Sequence, residues 1–543
     1  MKKTYQIWLL ILSVCFATVS ANAQSFRVQC PTSTVTHPDP TNAGINNSES
    51  AYTGPTSPTN VNGAIKCQQI SGGDGFATMG DGTQTYMFSF GPLSGLADIA
   101  TGQPGTEPPS VFNTVYVGPR LLPGDPATTD DPTGAGGSFI NLKAFGYNGA
   151  VGLAPDLDCI AEPTSCPVTP AYPTLGIDGH VDPRQIEDVG VMNGNIPAPL
   201  MAFDEDDEFF LTLTNVGMIM RPDLFEQHTV HFHGYPNASS FYDGVPDASV
   251  AINIGGSFTY YYLAPDAGTY FWHCHITPPE HLQMGMVGQL YVRPRQNRVP
   301  PTTTLYSALQ TQQLDLRTAC PHGSDSAHSD ILCSNPLPAL QTGATGGFSS
   351  GVATKKYAYN DGDGSTYYDV EYPLQIHGFD PSFHFVGMTF NPEEFADMKD
   401  KYFLLNGRSY PDTVTTGPLE TQTTDGANHF SQPLPSIITI KSGQKALLRI
   451  SDLDVTEYQT LASLGIPMHV IGYNAKLLRD QAGNNLDYYT NSITLAGGES
   501  LDVILDATGY TAGQIFYLYT PNLDHLSNDA ENFGGLMTEV RIN

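Results

Sequence analysis

Gly268-Thr269-Tyr270-Phe271-Trp272-His273-Cys274-His275 is the stretch on which the reading turns. Its threonine and aromatic residues favour a strand, and alternate residues of a strand share a face. His273 and His275 therefore point one way and Cys274 the other. A second stretch, His228-Thr229-Val230-His231-Phe232-His233-Gly234, places His231 and His233 on one face by the same alternation. Six of the fifteen histidines fall between His228 and His281, joined by Cys274, Met284 and Met286. Two strands carrying paired imidazoles are expected to confront one another.

Outward from this region the chain reads as all-β. Strands are expected at Phe209–Thr214, Thr229–His233, Phe258–Leu263, Thr269–His275 and Val287–Val292, the makings of one compact β-sandwich. A second is expected from Lys401–Leu405, Ile437–Ile440, Ala446–Ile450, Leu501–Leu505 and Gln514–Thr520. Ser25 to about Gln185 is dominated by Pro, Gly, Thr and Asp. It reads as decorated loop with one strand at Thr85–Phe90. The best helix candidate is Asn391–Asp400. Residues 1–23 carry Lys2, Lys3, an apolar run and Ala21-Asn22-Ala23, the pattern of a secretory signal peptide. Residues 24–292 then form the first sandwich with its long N-terminal loops, 293–354 a low-complexity connector, and 355–543 the second sandwich.

Composition narrows the partners. The 543 residues hold 54 acidic against 23 basic side chains, a formal charge of −31, which repels nucleic-acid phosphates and anionic lipid and favours cations. No stretch after the leader approaches the roughly 20 apolar residues of a membrane span. A periplasmic or secreted protein is expected, and outside the cytosol thiols pair. Cys30 with Cys67, Cys159 with Cys166 and Cys320 with Cys333 are sequence neighbours suited to disulfides. Cys274 is left over between two histidines.

A thiolate, two imidazoles and a thioether form the ligand set of a mononuclear blue-copper centre. His228, Cys274, His281 and Met286 fit it, with Met284 as an alternative to Met286. Structural zinc favours more thiolates, and catalytic zinc rarely adds a methionine. His37, His180, His322, His328 and His429 stand singly in polar loops and read as solvated side chains.

With these residues in view, the chain resembles the multicopper oxidases, the cupredoxin family that includes laccases and copper nitrite reductases. The resemblance rests on Asn193-Gly194-Asn195-Ile196-Pro197-Ala198-Pro199, on His228-x-x-His231-x-His233, on Asp243-Gly244-Val245-Pro246, and on His273-Cys274-His275 leading to His281-Leu-Gln-Met-Gly285-Met286. In the second half it rests on Leu405 to Thr413 and Ala496 to Val503. It implies two cupredoxin-like Greek-key sandwiches, the first binding copper. It further implies a type 1 copper at His228, Cys274, His281 and Met286, and a second centre to which His231 brings a type 2 ligand and His233, His273 and His275 bring type 3 ligands. Electrons from a phenol or a metal ion would pass from Cys274 to its histidine neighbours, and dioxygen would be reduced to water.

The departures are informative. A trinuclear centre takes eight histidines from four pairs, and this chain has two pairs. His377, His384, His469 and His525 are not spaced as pairs, so a homo-oligomer in which a second copy completes the centre is expected. A nitrite-reductase-like enzyme using His469 or His525 is an alternative, although His231 and His275 stand where that family has an aspartate and a small residue. An electron-transfer or copper-binding protein without enzymatic activity is another. Pro278-Pro279 makes the loop from Cys274 to His281 two residues longer than in laccases.

Overall fold

The computed structural model describes residues 30–32, 34, 63–113, 180, 193–218, 220–235, 239–264, 266–297, 357–389, 395–422, 428–480 and 483–543. The proposed signal peptide, most of the connector and the cysteine pairs Cys159/Cys166 and Cys320/Cys333 lie outside the described residues.

The first sandwich is built from β1 (Ile65–Thr78), β2 (Gln84–Pro92), β3 (Met201–Asp204), β4 (Glu208–Gly217), β5 (His231–His233), β6 (Ser257–Leu263), β7 (Gly268–His273) and β8 (Val287–Arg293). One sheet runs β2-β1-β4-β6 and the other β3-β8-β7-β5. Strands distant in sequence are neighbours, as in a Greek key. The period-2 pattern explains the core: Phe209, Leu211 and Leu213 of β4, Tyr260 and Tyr262 of β6, Trp272 of β7 and Leu290 and Val292 of β8 all turn into one buried cluster. Phe232 stacks on Tyr262 at 4.0 Å, which fixes β5 with its histidines facing the other way.

The N-terminal region corrects the sequence expectation. Instead of loop with one strand, β1 runs for 14 residues beside β2 and pairs in parallel with β4. The run Ser71-Gly72-Gly73-Asp74-Gly75 hid it, because glycine is depleted in strands. Close approach is what requires the glycines here. A Cβ on Gly72 would sit 2.5 Å from Cδ2 of His228, and one on Gly75 would sit 2.5 Å from the Gly194 carbonyl. Cys67 of β1 is bonded to Cys30, one of the expected pairs.

The second sandwich comprises β9 (Val370–Phe379), β10 (Tyr402–Leu405), β11 (Leu419–Gln422), β12 (Asn428–Ser431), β13 (Ile438–Ile440), β14 (Lys445–Asp452), β15 (Gln459–Leu464), β16 (Met468–Tyr473), β17 (Lys476–Leu477), β18 (Tyr488–Thr490), β19 (Ser492–Leu495), β20 (Glu499–Asp506), β21 (Ile515–Tyr519) and β22 (Met537–Ile542). Its sheets run β10-β9-β14-β20-β16-β17, with β18 on β16, and β13-β22-β21-β15-β19, while β11 and β12 form a separate hairpin. The helix expected at Asn391–Asp400 is, where described, a 3₁₀ turn at Phe395–Asp397. The helix lies earlier, at Pro381–Thr389. Asp380 caps it by accepting the Ser382 and Phe383 N–H groups, and Pro381 opens it with φ already set.

Buried polar bonds join the sandwiches. Gln289 of β8 donates to the Arg449 carbonyl and to Ser451, both at 2.9 Å. Glu371 of β9 accepts from Arg293 at 2.8 Å and from Arg449 at 2.9 Å, and both guanidinium groups lie against the Tyr291 ring. None of the three charged groups is more than 2% exposed.

Candidate metal centre

Two strands and one short helix assemble the thiolate site. His228 is held just ahead of β5 by a two-way backbone bridge to Ile252. Cys274 directly follows β7, and its N–H donates to the Met286 carbonyl at 3.2 Å. His281 sits on the helix Pro278–Gln283. The potential ligand atoms of His228, Cys274 and His281 all lie within 4.8 Å of one another, and all three side chains are fully buried.

The electrostatics of this trio suit a cation. His281 Nδ1 lies 3.2 Å from Cys274 Sγ, and the Thr229 N–H points at the same sulfur from 3.4 Å. Burial alone would raise the thiol's pKa. The charge and hydrogen bond of His281, with the Thr229 and Ile276 amides, outweigh it and hold the thiol below its ordinary value. For His281 burial opposes the cation, but the Cys274 charge and hydrogen bond, aided by Glu226, push it up to about 10. His228 is driven well below its usual value by burial and then by the His281 charge. Both its ring nitrogens lack a hydrogen-bond partner among the described residues. Buried polar atoms are seldom left so, and a soft metal ion between this imidazole and the thiolate accounts for it.

Around the trio, Glu226 places a carboxylate oxygen 3.6 Å from His281 Nε2, the ring nitrogen turned away from sulfur. Met284 and Met286 are both buried. Met286 is tied by its backbone to both Cys274 and His281, whereas the Met284 N–H closes the helix on Glu280. Gly285 between them has φ +110°, a turn that favours glycine.

On the opposite side of β7 the four other histidines come together. β5 pairs with β7 so that His231 stands opposite His273. The His231 ring centre lies 5.3 Å from that of His273, 5.0 Å from His275 and 5.9 Å from His233. His273 and His275 are 5.6 Å apart. His231 Nδ1 is bonded to the Asp243 carbonyl at 2.7 Å, and His273 Nδ1 to the Cys274 carbonyl at 2.8 Å, which fixes the orientation of both rings. Burial, reinforced by neighbouring imidazoles, pushes His273 down to about 3 and lowers His233. His231 is lowered by burial as well. Neutral imidazoles are the form that ligates a metal. The Asp243-Gly244 turn is pressed onto β5: a Cβ on Gly244 would meet the Val230 carbonyl at 2.0 Å.

His377, His384, His469 and His525 of the second sandwich do not join this cluster. His377 is bonded to the Leu453 carbonyl, and His384 sits between the Tyr86 and Gln283 carbonyls. His469 contacts Asp487 at 3.0 Å and stacks on Tyr489 at 4.3 Å. His525 stacks on Phe403 and contacts Gln459. His180 also departs from expectation: it is buried, stacked on Phe112 and bonded to the Phe112 carbonyl. His37, His322 and His328 lie outside the described residues. Sequence reading missed Gly72, Thr229 and Glu226. Thr229 also braces the imidazole side, accepting the His275 N–H at 3.0 Å.

Residues 178–297, which hold all eight candidate ligands, match the family profile described as multicopper oxidase. This segment is similar to a multicopper oxidase domain. The chain is 34% identical over 120 residues to "Multicopper oxidase MCE" of Talaromyces pinophilus, covering 22% of this chain and 18% of that protein. It is 32% identical over 128 residues to "Laccase abr2" of Aspergillus fumigatus, covering 23% and 20%. The chain thus spans about a fifth of the length of these curated relatives. Among solved structures, the blue copper oxidase from Nitrosomonas europaea aligns with a TM-score of 0.41 and 22% identity over 64% of this chain and 78% of that one. The multicopper oxidase mgLAC aligns with a TM-score of 0.41 and 19% identity over the same shares. The matched segment spans β3 to β8 of the first sandwich, the part that carries both histidine constellations.

Proposed function

We propose that the chain is an exported copper-dependent oxidoreductase of the multicopper oxidase type. Its type 1 site would be formed by His228, Cys274, His281 and Met286, and its second centre by His231, His233, His273 and His275. The observation that carries the reading is the buried thiolate between two imidazoles, backed on the opposite side of β7 by four imidazoles clustered from β5 and β7. Copper would supply one-electron exchange at the thiolate site and the reduction of dioxygen to water at the second centre.

The chain's own residues do the positioning. Thr229 donates to the sulfur and fixes its lone pairs. Asp243 and the Cys274 carbonyl orient His231 and His273 through Nδ1, as outer partners of metal-bound imidazoles generally do. Cys274 is covalently continuous with His273 and His275, so the two centres are linked through backbone rather than across a gap. A small reductant, a phenol or a metal ion, is the electron source, and the acidic surface favours cations. Further ligands for the second centre would come from a second copy of the chain.

Copper analysis with visible absorption tests this. Copper-loaded protein is expected to show an intense thiolate-to-copper band and at least two copper atoms per chain. A Cys274→Ser variant is expected to lose the band and one copper. One copper per chain with the band intact would mark an electron carrier instead, and no band would remove the reading altogether.

A further inference from the structure

A cleft of about 490 Å³ opens between the two sandwiches, lined on the side of the first by His233, Phe271 and His273. Its volume lies in the range of about 300–1,000 Å³ typical of small-molecule sites. A water molecule takes only about 30 Å³ of liquid volume, so passage of dioxygen or protons would not need such a space. The walls are largely apolar. Phe271 forms one side and is held in place by the stacked His233 ring at 4.5 Å. Pro278, Pro279 and Leu282 form another. The rigid pair at the helix start builds a wall that side chains cannot fold across.

The opposite wall belongs to the second sandwich, and its polar group is acidic. Glu457 and Tyr458 stand at the mouth, the Glu457 side chain 43% exposed and Tyr458 72% exposed. The Glu457 carboxylate is held there by the His525 ring at 3.3 Å. Asp454, deeper in, is already engaged by the Thr456 and Glu457 N–H groups and by Gln459. A carboxylate beside an exposed aromatic ring, at one end of an apolar slot, complements a cation carried on a flat apolar body. The site lies on the imidazole side of β7, whereas Glu226 marks the outward edge of His281.

We infer that this cleft binds a small arylalkylamine in its ammonium form, with the ring between Phe271 and the Pro278-Pro279 wall and the charge at Glu457 and Tyr458. The inference concerns binding and is independent of copper chemistry, so a redox-inert probe tests it. Titration calorimetry of the full chain, copper-loaded and copper-free, with 2-phenylethylammonium is expected to show saturable binding of one molecule per chain. The neutral 2-phenylethanol and the anionic 3-phenylpropanoate are expected to bind at least fivefold more weakly. Glu457→Gln should cut ammonium affinity three- to fivefold and leave the alcohol unchanged. Val455→Trp, on the wall between them, should weaken the amine more than tenfold. Equal affinity for the amine, alcohol and acid would overturn the proposal, as would absence of saturable binding. So would a Val455→Trp variant that binds the amine normally while its hydrodynamic mass falls, since a second copy would then be what fills the cleft.

Discussion

Gly72→Ala tests the thiolate site from outside its ligand set. Gly72 lies on β1, and a Cβ there would stand 2.5 Å from Cδ2 and 3.1 Å from Cγ of His228. Carbon atoms in contact prefer about 3.5–4.0 Å, so the ring must retreat by roughly 1 Å. Metal–ligand distances tolerate only about 0.2 Å. Displaced supports of metal ligands typically cost about 10–100-fold in metal affinity, which is about 1.4–2.7 kcal/mol. Without metal the ring is free to move, and two smaller effects oppose one another. Overpacking costs about 1–3 kcal/mol, and replacing glycine in a strand returns about 0.4–1 kcal/mol. The Gly72 backbone is outside the left-handed region, so alanine adds no backbone strain of its own. Copper affinity is measured by competition with a chelator, and the visible band is recorded alongside thermal unfolding of the copper-free protein. The expected result is a tenfold or greater loss of affinity with a shifted band, while copper-free stability changes by about 2 kcal/mol or less. Unchanged affinity and band position would refute the claim that β1 sets the His228 ring.

Glu371→Gln removes the buried carboxylate that Arg293 and Arg449 share, leaving Arg449 with the more distant Asp502 at 3.7 Å, and unfolding in denaturant should show a loss of about 3–5 kcal/mol. Cys67→Ser opens a link of sequence separation 37, for which chain entropy predicts about 4 kcal/mol; a thermal midpoint equal to that of the parent would contradict it. Asp452 is fully buried, with one carboxylate oxygen unpartnered among the described residues, and burial, then the Asp454 charge, raises its pKa well above the ordinary value. The folded state therefore holds a proton that the unfolded chain releases near pH 4, so this group's contribution to stability falls as pH rises from there through the folded value. Asp452→Asn should unfold at a higher temperature than the parent at pH 8 and differ less at pH 4. Equal pH dependence in the two proteins would count against the sign.

Much of the first sandwich was legible because its strands alternate strictly: Phe209, Leu211 and Leu213 could only face one way, and the same rule set His273 and His275 opposite Cys274. The trio His228, Cys274 and His281 was legible because those residue types seldom cluster without a metal. β1 was not, since its glycines reflect a close approach to His228 and Gly194 that sequence alone does not display. The helix at Pro381–Thr389 was hidden because Phe383, Phe385 and Val386 do not fall on one helical face and Gly387 is a poor helix former. The fates of His377, His384, His469 and His525 were out of reach for another reason. Each is used as a hydrogen-bonded or stacked spacer, and that depends on which carbonyl or ring the tertiary fold brings beside it.

His273, Cys274 and His275 occupy successive positions at the end of one strand, with the sulfur on one side and the rings on the other. The interval from the sulfur-bearing residue to the His273 and His275 rings is thereby set by bond lengths and peptide geometry, whereas His228, His281, His231 and His233 are brought in by the packing of other elements. An insertion or deletion at Cys274 would alter that interval directly, and substitutions elsewhere act only on the residues gathered around it.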